Sequence, residues 1–363
     1  MEAVEPIQPS PVEAEGRRPR PGPSPRVLAA ALAVIASFMI VGGLTAAAVS
    51  DDQPQQAGNH SATLGARVAQ AAVLEPTPRT VDAYAGLGTW VDVFDYAPGY
   101  QGEGHTPSVT PDDIDAMAEA GIETLYLQAA RHDDEFVGLV DDTLVTEFVV
   151  RAHRARIDVV AWYLPTFADV EADADEIEAL IAYDYLGHRF DGVALDIEYI
   201  NSVPDVTRRN GRLMRLSAKV DAAAGEMPVG AIVLPPVQIE IVGTEFWPHF
   251  PWQSISPHYD IWLPMSYWTF RNTDSEWYSG YTYNETSTRL LRENIDDPDA
   301  LVHGIGGIGD TATPAQYSDF VDSLVDTESI GGSIYDWNTL TAEGRDLLEA
   351  SFSDGAGASL RRP

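Results

Sequence analysis

The chain has 363 residues, 21% of them charged, no cysteine, and a formal net charge of −34 at neutral pH. Disulfide and thiol chemistry are therefore excluded, and so acidic a surface repels nucleic-acid phosphates and anionic headgroups. The excess charge reads as a solvated acidic surface, with a cationic or neutral substrate as the functional alternative.

Residues 1–26 carry four Glu and four Arg, which cancel, so the acidity belongs to the rest of the chain. Residues 27–49, VLAAALAVIASFMIVGGLTAAAV, form an uncharged apolar run. It is long enough to cross a bilayer core of about 30 Å as a helix. Arg17, Arg18, Arg20 and Arg26 precede it and Asp51 and Asp52 come after it. That asymmetry predicts a cytoplasmic tail (1–26), a transmembrane signal-anchor (27–49) in the lipid bilayer, and an extracytoplasmic remainder. The alternative is a cleavable signal peptide ending near Ala46-Ala47-Ala48, which would leave the protein secreted. Residues 50–83, rich in Gln, Ala, Pro and Thr without apolar periodicity, read as a flexible linker.

From residue 84 to 355 short β-rich runs alternate with helical patterns, leaving 356–363 as a tail. The predicted strands are 89–95, 124–128, 159–164, 192–199, 229–234, 261–267, 301–305 and 332–337. Each is almost continuously apolar, as parallel strands buried on both faces are. Helical patterns over 141–156, 173–187, 204–226, 285–296, 313–327 and 341–352 separate most of them. Another helix opens at Thr110-Pro111-Asp112-Asp113, with an N-cap, a proline at the first position and a capping acid, and Gly121 closes it. Residues 237–259 are the least regular. Eight strands alternating with helices over this length predict an α/β fold, a (β/α)8 TIM barrel. A doubly wound sheet would announce a glycine-rich phosphate loop after strand one, where DYAPGYQGEGH stands instead. The glycine run 304–309 comes after strand seven and reads as a strand-to-loop bend near substrate.

Chemistry in such a barrel sits at the carboxyl ends of strands. On strand four, FDGVALDIEY, Asp196 and Glu198 are two apart and so share a face, at the top of an apolar run. Two carboxyls there would repel, raising one pKa, an arrangement suited to a general acid beside an ionised helper. The alternative is a structural ion pair with an arginine such as Arg131. Asp92 and Asp95 on strand one, Gln128 and Arg131 at the end of strand two, and Asp336 on strand eight are further rim candidates. Asp191 and Asp260 precede apolar runs and read as structural residues at the amino ends. His132-Asp133-Asp134-Glu135 is acidic, but consecutive ligands on a loop are usually only solvated, and no zinc or calcium spacing occurs. No metal and no organic cofactor is expected.

The segment DGVALDIE resembles the strand-four signature of chitinase-like family 18 glycoside hydrolases, Asp-Gly-x-Asp-x-Asp-x-Glu. The resemblance implies that Glu198 is the proton donor and that Asp196 orients the N-acetyl group and stabilises the charged intermediate. Ala194 stands where the family has its first inner Asp, which removes a proton relay. Leu263-Pro264-Met265-Ser266-Tyr267-Trp268 resembles the family's Met-x-Tyr-Asp, implying that Tyr267 contacts the reacting sugar and that Trp268 replaces an Asp. Trp337 falls where the family has a tryptophan under that sugar, and indole faces suit sugar rings. A core-filling tryptophan is its alternative reading. The motif is shared with family 25 muramidases and does not name the glycan.

The resulting expectation is an extracellular glycosidase acting on a cell-wall or environmental polysaccharide that contains N-acetylhexosamine. Glu198, Asp196 and Tyr267 would do the chemistry, and Trp337, Asp92, Gln128, Arg131 and Trp268 would bind substrate. A catalytically silent, membrane-anchored glycan-binding barrel is the alternative. A hydrolase pairing Glu198 with Asp92 or Asp95 is a third reading.

Overall fold

The structure, a computed structural model, describes residues 80–100, 106–132 and 137–353. The expected tail, membrane anchor, most of the linker and the C-terminal tail lie outside these residues, as do 133–135 of the acidic loop. Among the described residues no helix is long and apolar enough to cross a membrane.

Eight parallel strands form one sheet: β1 Gly86–Val91, β2 Thr124–Gln128, β3 Asp158–Tyr163, β4 Gly192–Ile197, β5 Val229–Val233, β6 Ile261–Pro264, β7 His303–Ile308 and β8 Gly331–Tyr335. Each neighbours the next in sequence, and β1 pairs with β8. Parallel bridges Trp262↔Val302 and Met265↔Ile305 join β6 to β7 and close the barrel. Almost every strand residue is buried, which explains their unalternating apolar sequences.

Among the described residues seven longer helices surround it: α1 Ile114–Glu119, α2 Asp142–Ala155, α3 Val170–Ala182, α4 Val206–Ala224, α5 Gly280–Ile295, α6 Pro314–Asp326 and α7 Ala342–Ser353. Local chemistry fixes their starts. The Asp113 carboxylate accepts the Thr110 N–H at 2.8 Å, and Thr313 and Gln316 form a second capping box ahead of α6. The segment after β5 holds the π-turn Val237–Val242, the short helix Trp252–Ile255 and the 3-10 turn Ser256–His258, matching its irregular sequence.

Strand one ends earlier than its sequence pattern predicts. The Asp92 side chain accepts the Phe94 N–H at 2.7 Å and caps the short helix Val93–Tyr96, turning the chain where alternation reads as strand. The glycine run belongs to β7 itself rather than to a bend. A Cβ on Gly304 would meet Leu324 of α6, and one on Gly306 would meet Trp268, so close packing of the outer layer requires these glycines. Asp191 and Asp260 do tie strands at their amino ends: each accepts a neighbouring strand's N–H, from Val159 at 2.9 Å and Val229 at 2.8 Å.

Tyr84 plugs the amino end of the barrel. Its hydroxyl donates to the Val193 carbonyl at 2.7 Å, and its ring occupies the space a side chain at Gly192 or Gly230 would need. Above it a polar chain crosses the interior. His303 Nδ1 lies 2.8 Å from the Tyr84 carbonyl, which only accepts, so Nδ1 carries the proton. His303 Nε2 therefore accepts from the Ser333 hydroxyl at 3.0 Å, and Ser333 Oγ accepts the Trp90 indole N–H at 2.7 Å. Burial lowers the His303 pKa to about 4, which keeps the ring neutral. Trp90 stacks on Tyr126 at 4.2 Å, completing the floor beneath the mouth.

Candidate active site

Asp196 is the next-to-last residue of β4, and Glu198 comes directly after the last. Both carboxyls are buried, and Asp196 Oδ1 has no hydrogen-bond partner. Burial, then the Glu198 charge, pushes Asp196 well above the usual carboxylate range, while burial lifts Glu198 to about 7. The two carboxyls titrate together, and their burial favours a pair that keeps a proton up to about neutral pH.

Ala194, two residues below, packs its methyl beside Gly230, among Leu263 and Tyr84. The relay carboxylate of the family signature is replaced by apolar packing, so nothing beneath Asp196 can take its proton. Tyr267, just beyond β6, is buried against the pair. Its phenol pKa is raised by burial, then by the charges of Glu198, Asp196, Asp336 and Asp92 in that order. Tyr267 thus stands between two groups of acids.

The second group comes from β1 and β8. Tyr335, at the end of β8, donates its hydroxyl to Asp92 Oδ2 at 2.9 Å and packs 5.7 Å from Tyr267. Asp95 Oδ1 accepts from Ser108 Oγ at 3.1 Å and from the Asn338 amide at 3.0 Å. Asp336 Oδ1 accepts the Thr339 N–H at 2.9 Å. Burial, then the charges of Asp92 and Asp336, raises Asp95 to about 9; burial, then Asp92, raises Asp336 to about 7. Asp92 is raised by burial against the opposing effect of its hydrogen bonds. Oxygens of the three carboxyls lie within 4.8 Å of one another, a spacing that could hold a metal ion. Hydrogen bonds from neutral donors already engage them, and a calcium ion would want six to eight oxygens.

The remaining candidates divide. Arg131 stacks over Phe94 at 4.8 Å and Tyr100 at 5.3 Å, and its charge reaches Asp92. The Gln128 side-chain oxygen accepts the Val93 N–H at 3.1 Å and so anchors the turn after β1. Trp268 does not line the mouth. It is wholly buried in the outer layer, 5.2 Å from Phe320 of α6, because Gly280 and Gly306 leave it room there. Trp337 is also buried, with the Arg345 guanidinium of α7 3.6 Å over its ring. The aromatic that strand eight contributes to the mouth is Tyr335, which no sequence motif marks. Its place two residues after the inward-facing Ser333 is the signal that could have found it.

No protein-family model matches the chain, and no curated protein matches it. Among solved structures it is similar to the spore cortex-lytic enzyme SleL of Bacillus cereus, with a TM-score of 0.53 and 9% identity, covering 76% of this chain and 75% of that one. A chitinase from Chromobacterium violaceum aligns with a TM-score of 0.52 and 9% identity over 74% of this chain and 99% of the other. The catalytic domain of chitinase B from Arthrobacter TAD20 gives 0.51 and 9%, over 79% and 98%. At such identities the likeness is one of fold: an eight-stranded barrel of the kind these glycoside hydrolases use.

Proposed function

We propose that the chain is a glycoside hydrolase acting on a cell-wall-type polysaccharide, with Glu198 as general acid. The observation that carries this reading is the buried Asp196–Glu198 pair at the carboxyl rim of β4, holding one proton against Tyr267. Glu198 gives its proton to the glycosidic oxygen as the bond to the sugar carbon breaks. The positive charge that develops at the sugar ring favours an ionised Asp196, which leaves the proton of the pair on Glu198 up to the point of transfer. An N-acetylhexosamine at the reacting position would supply its own acetamido oxygen as nucleophile, with no need for a second protein carboxylate. The fold shared with chitinases and a cortex-lytic enzyme supports this substrate class. The barrel would work outside the membrane, tethered through residues 27–49.

A second reading, a silent glycan-binding barrel, draws on Ala194 and the missing relay. One experiment separates the two. Wild type should release reducing ends from a panel of cell-wall and chitin-type glycans. Glu198→Gln, which keeps shape but lacks the proton, should lose roughly 10²–10⁴-fold in rate while still binding glycan. Binding by wild type without cleavage of any panel member would establish the silent reading. Undiminished cleavage by Glu198→Gln would remove Glu198 as the acid.

A further inference from the structure

Arg131, three residues beyond β2, is half-buried at the carboxyl rim. Its guanidinium lies 4.8 Å from the Phe94 ring and 5.3 Å from that of Tyr100. Among the described residues it makes no ion pair and no side-chain hydrogen bond. Arg151, Arg209, Arg212 and Arg292 are also partly or fully buried, yet each donates to a carboxylate or a backbone carbonyl. The chain holds 56 acidic residues against 22 basic ones, so carboxylates to pair with are plentiful, and Arg131 has none. It is not loosely held. The antiparallel bridge Ala130↔Leu139 and the Val140 N–H bond to the Ala129 carbonyl at 2.9 Å fix the backbone beside it, and the two rings favour its charge. Burial lowers its pKa, against the opposing effects of Tyr100, Asp92 and Tyr199. The guanidinium is thus within electrostatic reach of the ends of both β1 and β4, and Tyr199 directly follows Glu198. The acids on its β1 side are a poor substitute for a partner, because burial raises Asp92, Asp95 (to about 9) and Asp336 (to about 7) and keeps protons on them near neutral pH.

We propose that Arg131 forms a subsite for a carboxylate carried by the glycan, so that the substrate is an anionic polysaccharide rather than a neutral one. The inference rests on the glycosidase reading and deepens it by naming the substrate class. A planar guanidinium presents a fork of N–H donors that matches a carboxylate through two parallel hydrogen bonds. Charge-assisted bonds of this kind are roughly twice as strong as neutral ones. A hydroxyl or acetamido oxygen in the same place offers a weaker acceptor and leaves the positive charge unmatched. The net charge of −34 opposes an anion at long range, but it is screened beyond about 8 Å at physiological salt, whereas the guanidinium acts at contact. The carboxylate belongs to a sugar beside the reacting one, because Arg131 follows β2 and the Asp196–Glu198 pair ends β4. Two sugar chemistries carry it: a lactyl ether on a hexosamine, or the ring carboxyl of a uronic acid.

The test uses the full chain carrying Glu198→Gln, so that nothing is cleaved, and calorimetry with two oligomers of equal length. In one, N-acetylglucosamine alternates with lactyl-bearing N-acetylmuramic acid; in the other it alternates with glucuronic acid. Each is compared with its own carboxamide, which keeps the shape and removes the charge. At least one acid should bind about tenfold tighter or more than its amide, and which one does so identifies the source of the carboxylate. Adding Arg131→Gln should abolish that preference while leaving amide binding within about twofold. Arg131→Lys, which keeps the charge but not the fork, should retain only part of it, and Arg154→Gln, on an exposed turn of α2, should leave it whole. Equal binding of acid and amide in both pairs overturns the proposal, as does a preference that survives Arg131→Gln. Should Arg131→Gln bind neither form, Arg131→Lys decides: loss of all binding there as well assigns Arg131 to structure alone and overturns the subsite. Wild-type cleavage of acids and amides alike, without the preference, would leave the glycosidase reading standing and sink only the subsite. The preference without any cleavage by wild type would do the reverse and leave a carboxylate-reading barrel.

Discussion

In the floor of the barrel, Trp90, Ser333, His303 and the Tyr84 carbonyl pass hydrogen bonds from one to the next, and none of them carries a charge. Two or three residues further along the same two strands, Asp92 and Asp336 sit equally deep with no cation beside them. The floor engages its polar groups with one another, which fixes ring orientations and a single histidine tautomer. The mouth holds Asp92 and Asp336 with neutral donors and, among the described residues, no ion pair, which costs stability and raises their pKa values. Polarity placed for structure and polarity placed for chemistry are thus stacked in one barrel, with the boundary running through the Trp90 layer. Tyr126, stacked on Trp90 with its hydroxyl unpartnered, is the one lapse in the floor's pairing among these residues.

The contrast breaks most visibly if charge is moved across that boundary. Ala194→Asp restores the family signature in sequence but puts a carboxyl among Tyr84, Gly230 and Leu263. It should cost about 3–5 kcal/mol in denaturant unfolding. A loss under about 0.5 kcal/mol would mean the floor is as tolerant of charge as the mouth.

The opposite change, removing charge from the mouth, should stabilise. Asp336 has a folded pKa of about 7, above the ordinary 3.8. A raised carboxyl contributes stability that is fully present below its unfolded pKa and is lost as pH rises through the folded one. Wild type should therefore weaken as pH climbs from about 4 through 7. Asp336→Asn, still able to accept from Thr339, should be about 1–3 kcal/mol more stable than wild type at pH 8 and no more stable at pH 4. Equal stability at pH 8 would show that Asp336 has a counter-charge.

The smallest effect belongs to the outer layer. Trp268→Phe should cost about 1–2 kcal/mol through lost packing against Phe320, and leave glycan binding and turnover as they were. A drop in binding would return Trp268 to the mouth, where its sequence position alone would put it.

Much of the fold can be read from the chain because parallel strands buried on both faces leave unbroken apolar runs. Strand two is predicted to the residue. Strand one is misjudged because a single side chain, that of Asp92, converts a strand-like alternation into a helical turn. The Asp196–Glu198 pair is legible because its members are two residues apart at the end of one strand. The Asp92–Tyr335 pair is not, since 243 residues separate its members and only the β1–β8 pairing joins them. Trp268 is misread as a mouth residue, and Trp337 takes the core-filling alternative of its two readings, for a related reason. A ring beyond a strand's end can turn to the mouth or to the helix layer, and here Arg345 and Phe320 hold the two rings outside.

The central claim is that the Asp196–Glu198 pair works by holding one proton at neutral pH, and the pH dependence of kcat/KM on a cleaved glycan tests it most directly. With Glu198 at about 7, activity should fall tenfold per unit as pH rises beyond that point, reporting loss of one proton. A profile that stays flat up to pH about 9 would mean the pair does not supply the proton, and the proton-sharing role of the mouth would fail.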